Sequence, residues 1–126
     1  MNGTKMLLDS NILIYLSKKE IVLSEFVKPD SKLYISVITY MEVLGYPFSS
    51  KKEEKVISTL CDSLNVIYLD DEIVKEVIKI RRKDKIKLPD AIIAASAIVK
   101  NIELVTRNTE DFKSLAPGLT INNPFD

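Results

Sequence analysis

The chain has 126 residues, with 18 Lys and Arg balanced by 18 Asp and Glu, 46% apolar residues, 3 Gly and 5 Pro. Hydrocarbon enough to bury roughly two-thirds of the unfolded surface describes one globular domain over residues 1–126 and excludes disorder, collagen and disulfide scaffolds. Histidine is absent and Cys61 is the one cysteine, which removes Ser-His-Asp triads, Cys-His pairs, histidine zinc sites and an internal disulfide. Acid–base or metal chemistry must then come from carboxylates, lysines, tyrosines and hydroxyls. A lone thiol suits a reducing cytoplasm.

Met1 to Lys5 has the charge of a leader, but the apolar run Met6-Leu7-Leu8 is cut at once by Asp9-Ser10-Asn11, so neither a signal peptide nor a membrane span of about 18 apolar residues is expected. Met6-Leu7-Leu8 reads as a strand, Asp9-Ser10-Asn11 as a helix start, and Ile12, Leu13 and Leu16 as that helix's apolar face. A second helical piece is expected over Glu20 to Val27, then a strand at Lys32 to Ser36. Ser36 or Thr39 opens the next helix, which ends at Gly45 with Pro47 beyond. Lys51 to Ser63 is a polar-faced helix striped by Val56, Ile57 and Leu60, and Asn65 to Leu69 is a third strand. Asp70 or Asp71 caps a helix through Ile73, Val74, Val77, Ile78 and Ile80.

After the basic stretch Arg81 to Lys87 and Leu88-Pro89-Asp90 comes a helix over Ala91 to Lys100, closed by Asn101. Glu103 to Thr106 is a fourth strand, Thr109 to Leu115 a short helix before Pro117-Gly118, and Leu119 to Ile121 an edge strand. Short apolar strands separated by helices predict an α/β fold, a parallel sheet of four to five strands between helix layers. In such sheets the site lies beyond the carboxyl ends of the strands.

Most acids sit in lysine-rich helical faces and are solvated charges. Four sit differently: Asp9 directly after the first strand, Glu42 in an otherwise apolar helix, Asp90 at the head of an alanine-rich helix, and Asp111 after the fourth strand. Singly, Asp9 and Asp90 read as N-caps and Asp111 as a first-turn acid answering the helix dipole. Glu42, flanked by Tyr40, Met41, Val43 and Leu44, is threatened with desolvation and needs either a tertiary salt bridge or a cation. Taken together, carboxylates crowded at one strand end would repel one another unless a hard divalent ion lay between them. Mg²⁺ or Mn²⁺ in such a place activates a water and neutralises charge on phosphate, and needs no histidine.

Leu7-Leu8-Asp9-Ser10-Asn11, Glu42 in its helix, Leu88-Pro89-Asp90-Ala91-Ile92-Ile93-Ala94 and Val105-Thr106-Arg107-Asn108-Thr109-Glu110-Asp111-Phe112 together resemble the PIN-domain nucleases, among them the VapC-type toxins of toxin–antitoxin pairs. The resemblance spans almost the whole chain and implies a PIN-like α/β/α sandwich. It implies further that Asp9, Glu42, Asp90 and Asp111 hold Mg²⁺ or Mn²⁺ as the catalytic acids of an endoribonuclease, with Asn11, Thr106 and Asn108 supporting them. Ser10 stands where the family often has Thr, and Glu110 competes with Asp111 for the fourth place. The family also implies a cognate antitoxin protein, often with an Arg entering the acidic pocket, and a homodimer.

Zero net charge argues against a broad nucleic-acid footprint. The exception is the run Arg81, Arg82, Lys83, Lys85 and Lys87, which reads either as a phosphate grip beside Asp90 or as cations at a helix C-terminus. Tyr15, Tyr40, Tyr46 and Phe48 read as core residues or as stacking partners for bases. The competing classes are an RNA-processing PIN nuclease without antitoxin, a catalytically silent PIN-fold binding module, a receiver domain and a haloacid-dehalogenase phosphatase. Receivers need adjacent acids after the first strand and a lysine after the last ones, where this chain has Arg107. The phosphatases need a second Asp two residues after the nucleophile, where this chain has Asn11.

Overall fold

The structure, a computed structural model, describes residues 4–115 and 118–125, so the Met1 to Gly3 part of the leader reading and Pro117 lie outside the described residues. Strand β1 (Lys5–Leu8) alternates its side chains, Met6 and Leu8 toward one core and Leu7 toward the other, and all three are buried. A strand covered on both faces belongs in the middle of a sheet. It pairs in parallel with β2 (Lys32–Ser36) on one side and β4 (Glu103–Val105) on the other. With β3 (Asn65–Ile67) and β5 (Ile121–Asn122) at the edges, the order is β3-β2-β1-β4-β5, all parallel.

Helices α1 (Ser10–Ser17) and α3 (Lys51–Asp62) cover one face, where Ile12, Leu13, Ile57 and Cys61 pack with Met6, Leu8 and Ile35. Helices α4 (Asp71–Lys83) and α5 (Leu88–Lys100) cover the other through Ile73, Val77, Ile80 and the small buried residues Ala91, Ala94, Ala95 and Ala97. Alanines let the α5 backbone approach closely, and Phe112 fills the remaining space at 0% exposure. Helix α2 (Val37–Leu44) bridges the layers: Ile38 packs on the α4–α5 side and Val43 belongs to the α1–α3 side. Asn101 closes α5 in the left-handed region at φ 55°, where Asn is tolerated, its N–H donating to Ala97 O.

The elements follow the sequence reading with differences at their ends. Over Glu20 to Val27 only one 3-10 turn forms, Leu23–Glu25: the segment buries Ile21 alone, and Lys28 before Pro29 is biased away from helix. The helix after β4 is likewise two 3-10 turns, Thr109–Asp111 and Lys113–Leu115. Strand β3 stops at Ile67 because Tyr68 and Leu69 have no layer to cover them and are exposed. The edge strand is Ile121–Asn122, not Leu119 to Ile121. Helix α5 starts at Leu88, with Pro89 in its first turn, which puts Asp90 inside that turn and not at the N-cap.

Candidate acidic active site

The neighbours of β1 are reached by connections running in opposite directions, so a crevice opens at the carboxyl ends of β1 and β4. Asp9 stands there. Its backbone is extended, its N–H donates to Val105 O, and its Oδ1 accepts the Ser10 N–H at 2.8 Å as the cap of α1. Its other oxygen, Oδ2, accepts the Thr106 hydroxyl at 2.7 Å, and Thr106 Oγ1 in turn accepts the Asn108 N–H at 3.0 Å. With Asp9 at 6% exposure and Thr106 at 0%, a carboxylate is fixed at the sheet end by the first residue of α1 and the residue after β4. The cap reading of Asp9 is correct and incomplete.

Burial pushes the Asp9 carboxyl above its usual range, against the opposing hydrogen bonds from Thr106 and Ser10, and the charge of Asp111 adds to the rise. Asp90 is half-buried and is also raised, first by desolvation and then by the charges of Asp9, Asp111 and Glu42, with Lys87 pulling the other way. The four acids singled out in the sequence therefore share one electrostatic field. Asp111 Oδ2 accepts from the Asn108 amide at 2.6 Å, whereas Glu110 pairs with Lys113 at 2.6 Å.

Glu42 departs from expectation. It is exposed, because α2 buries only Thr39 and Val43 and turns Met41 and Glu42 to solvent. No desolvation forces a partner on it. What holds it is the Ser10 hydroxyl, 3.1 Å from Glu42 Oε1 and 3.3 Å from Thr39 Oγ1. Sequence reasoning missed this hydroxyl pair as part of the site; its signal is Thr39, three residues before Glu42 and thus on the same helical face. Tyr46, read as a candidate core residue, is 62% exposed and stands edge to face with half-buried Phe48, their centroids 5.7 Å apart. Both line a cleft of about 410 Å³ with Ser10, Asn11, Ile14 and Glu42.

Of the basic run, Lys85 and Lys87 line a hollow of about 260 Å³ shared with Asp90, Glu110 and Asp111. Arg81, Arg82 and Lys83 are exposed in the last turn of α4 and do not line it. Among the described residues none of the four acids is in an ion pair; the two pairs that form are Lys100–Asp70 and Lys113–Glu110. Among them, too, no group of three or more acidic or thiol side chains is closed enough to cage an ion as it stands. The arrangement is an open acidic crevice. Its donors are all oxygens, which suit a hard cation, and Asn11 contributes a buried Oδ1 with no hydrogen-bond partner.

A parallel doubly covered sheet with a carboxylate after its central strand, and further acids at the same strand ends, defines the class: an α/β protein with an acidic site at its switch point. The chain belongs to the PIN-domain family, whose model matches residues 6–117. Over 118 residues it is 32% identical to Ribonuclease VapC1 of Methanocaldococcus jannaschii, covering 89% of this chain and 82% of that protein. A toxin–antitoxin complex from Klebsiella pneumoniae superposes with a TM-score of 0.73 at 34% identity, covering 96% of this chain and 98% of that one. VapBC-1 from nontypeable Haemophilus influenzae superposes at 0.80 with 26% identity, covering 98% and 100%.

Proposed function

We propose that the chain is a divalent-metal-dependent endoribonuclease, the toxin of a toxin–antitoxin pair, acting in the cytoplasm as a single PIN-like domain that forms a homodimer. The observation that carries this reading is the convergence of the acids, with Asp9 and Glu42 both bonded to Ser10 and Asp90 and Asp111 lining one hollow, and with no ion pair to any of the four among the described residues. The names of the similar proteins, a ribonuclease and toxin–antitoxin complexes, point the same way. No helix among the described residues is long and apolar enough to cross a membrane.

Asp9 and Asp90 are the principal ligands in this reading, with Glu42 and Asp111 completing the acidic set and Asn11 Oδ1 available beside them. Mg²⁺ or Mn²⁺, when bound there, supplies positive charge for the phosphate oxygens and an acidified water. Thr106 holds Asp9 in place, Asn108 holds Asp111, and Ser10 holds Glu42, which is the orienting work that supporting residues do around ligating carboxylates. Lys85 and Lys87 grip backbone phosphates at the mouth, with Arg81, Arg82 and Lys83 extending the basic strip along α4. A cognate antitoxin silences the enzyme by filling the same crevice with a cation.

Two measurements test the proposal. Inducing the chain in cells and mapping RNA 5′ ends should give growth arrest with discrete new ends, and the purified chain should cut RNA with Mn²⁺ or Mg²⁺ and stop in EDTA. Full cleavage in excess EDTA refutes the metal; no cleavage and no Mn²⁺ affinity leave a silent binding module. Light scattering should return the mass of two chains, and a single-chain mass refutes the homodimer.

A further inference from the structure

Arg107 stands between the two residues that hold the carboxylates at the end of β4, Thr106 on Asp9 and Asn108 on Asp111. Its own head is held elsewhere. The guanidinium carbon lies 4.3 Å from the centre of the Phe125 ring and 5.4 Å from that of Tyr15. Nη1 donates to the Tyr15 hydroxyl at 3.2 Å, and the two rings meet edge to face at 4.8 Å. The cage is anchored: both rings pack on the α1–α3 core, and Phe125 follows β5, which is paired to β4 through Asn122 and Val105.

An arginine flanked by acid-holding residues has a strong reason to fold onto a carboxylate, since Arg–carboxylate pairs are charge-assisted and bidentate. Among the described residues Arg107 pairs with none. Nor is it among the charges that shift Asp9 or Asp90. The aromatic faces satisfy the cation electrostatically and the Tyr15 hydroxyl accepts from one of its five N–H donors, while the residue itself stays exposed. What is left is a pre-oriented positive fork, kept off the acids and open to solvent. That suits an anion delivered from outside, and the anion an endoribonuclease meets is the phosphate of its substrate strand.

Resting on the endoribonuclease reading, we propose that Arg107, caged by Tyr15 and Phe125, binds a phosphate of the RNA strand next to the one positioned over Asp9 and Asp90. Arg107 lines neither the Ser10–Glu42 cleft nor the hollow of Asp90 and Asp111, so the two phosphate positions are distinct. A contact of this kind sets the register and affinity of the strand and not its sequence.

The test uses the Asp9→Asn chain in EDTA, where nothing is cut, titrated by anisotropy with a fluorescein-labelled single-stranded RNA oligonucleotide of mixed sequence. Adding Arg107→Ala should weaken binding about tenfold and lower the slope of log K against log salt by about 0.7, one phosphate contact on a single strand. Arg107→Lys keeps the slope and loses part of the affinity. Phe125→Leu, which keeps apolar bulk without a ring face, weakens binding severalfold with the slope intact. In the cleaving chain Arg107→Ala should raise KM about tenfold with little change in kcat.

Unchanged affinity and slope in Arg107→Ala, in a chain whose wild type cuts RNA, overturn the proposal. If Arg107→Ala melts early, Arg107→Lys and Phe125→Leu decide, and parent-like affinity in both overturns it. A wild type that cuts no RNA with Mn²⁺, and an Asp9→Asn chain that binds none, sink the endoribonuclease reading instead.

Discussion

Asp9→Asn is expected to reduce RNA cleavage about 1000-fold or more, as when an interaction of several kcal/mol with a ligated cation is lost from the transition state. The fold should survive. Asn caps helices as well as Asp does, so the Ser10 N–H keeps an acceptor, and Thr106 Oγ1, already an acceptor for the Asn108 N–H, also accepts from an amide. The lost charge is itself a relief, because burial raises the Asp9 carboxyl. Melting no lower than that of the parent, together with a flat cleavage time course, is the result to look for. Parent-like cleavage by this variant removes Asp9 from the mechanism.

Asp90→Asn should lose cleavage to a similar degree and become more stable than the parent. Asp90 is raised by desolvation and by Asp9, Asp111 and Glu42. A carboxyl whose folded pKa lies above its unfolded value binds protons more tightly when folded, so stability falls as pH rises from the unfolded pKa through the folded one. Where it is ionised the group is therefore a destabilising load, and its neutral replacement removes that load. The melting temperature should rise by about 2–4 °C, the response of a chain of this size to ~1 kcal/mol or less. The gain should shrink as pH falls through the raised Asp90 pKa and vanish below the ordinary Asp range, where both forms are uncharged. A variant less stable than the parent at neutral pH, or a gain independent of pH, contradicts the shared field of the four acids.

Both expectations rest on side chains far apart in the chain, and their legibility differs residue by residue. Asp9 was readable because a short apolar strand cut by Asp-Ser-Asn has few meanings, and Asp90 because Pro89 and the small residues after it mark a helix head. The exact role of Asp90 was not: whether it sits at the cap or inside the first turn depends on where α5 begins, and Lys87 and Leu88 carry no local signal for that. Glu42 reads in the sequence as a charge threatened with burial and is exposed in the fold, since an eight-residue helix that is apolar nearly all round need not be covered nearly all round. The partition between Glu110 and Asp111 needed Lys113 on one side and Asn108 on the other.

What the sequence determined by itself is the alternation of short apolar strands with helices, and with it the layered α/β architecture, because period-2 and period-3.6 burial are written locally in residue order. The absence of histidine narrowed the chemistry to carboxylates, lysines, tyrosines and hydroxyls in the same direct way. Only the tertiary structure decided the strand order β3-β2-β1-β4-β5, which joins Thr106 to Asp9 across the sheet, and the seating of Phe125 against Arg107. Those contacts depend on how distant segments dock, and docking is governed by the packing of whole layers, a property no local window of residues contains.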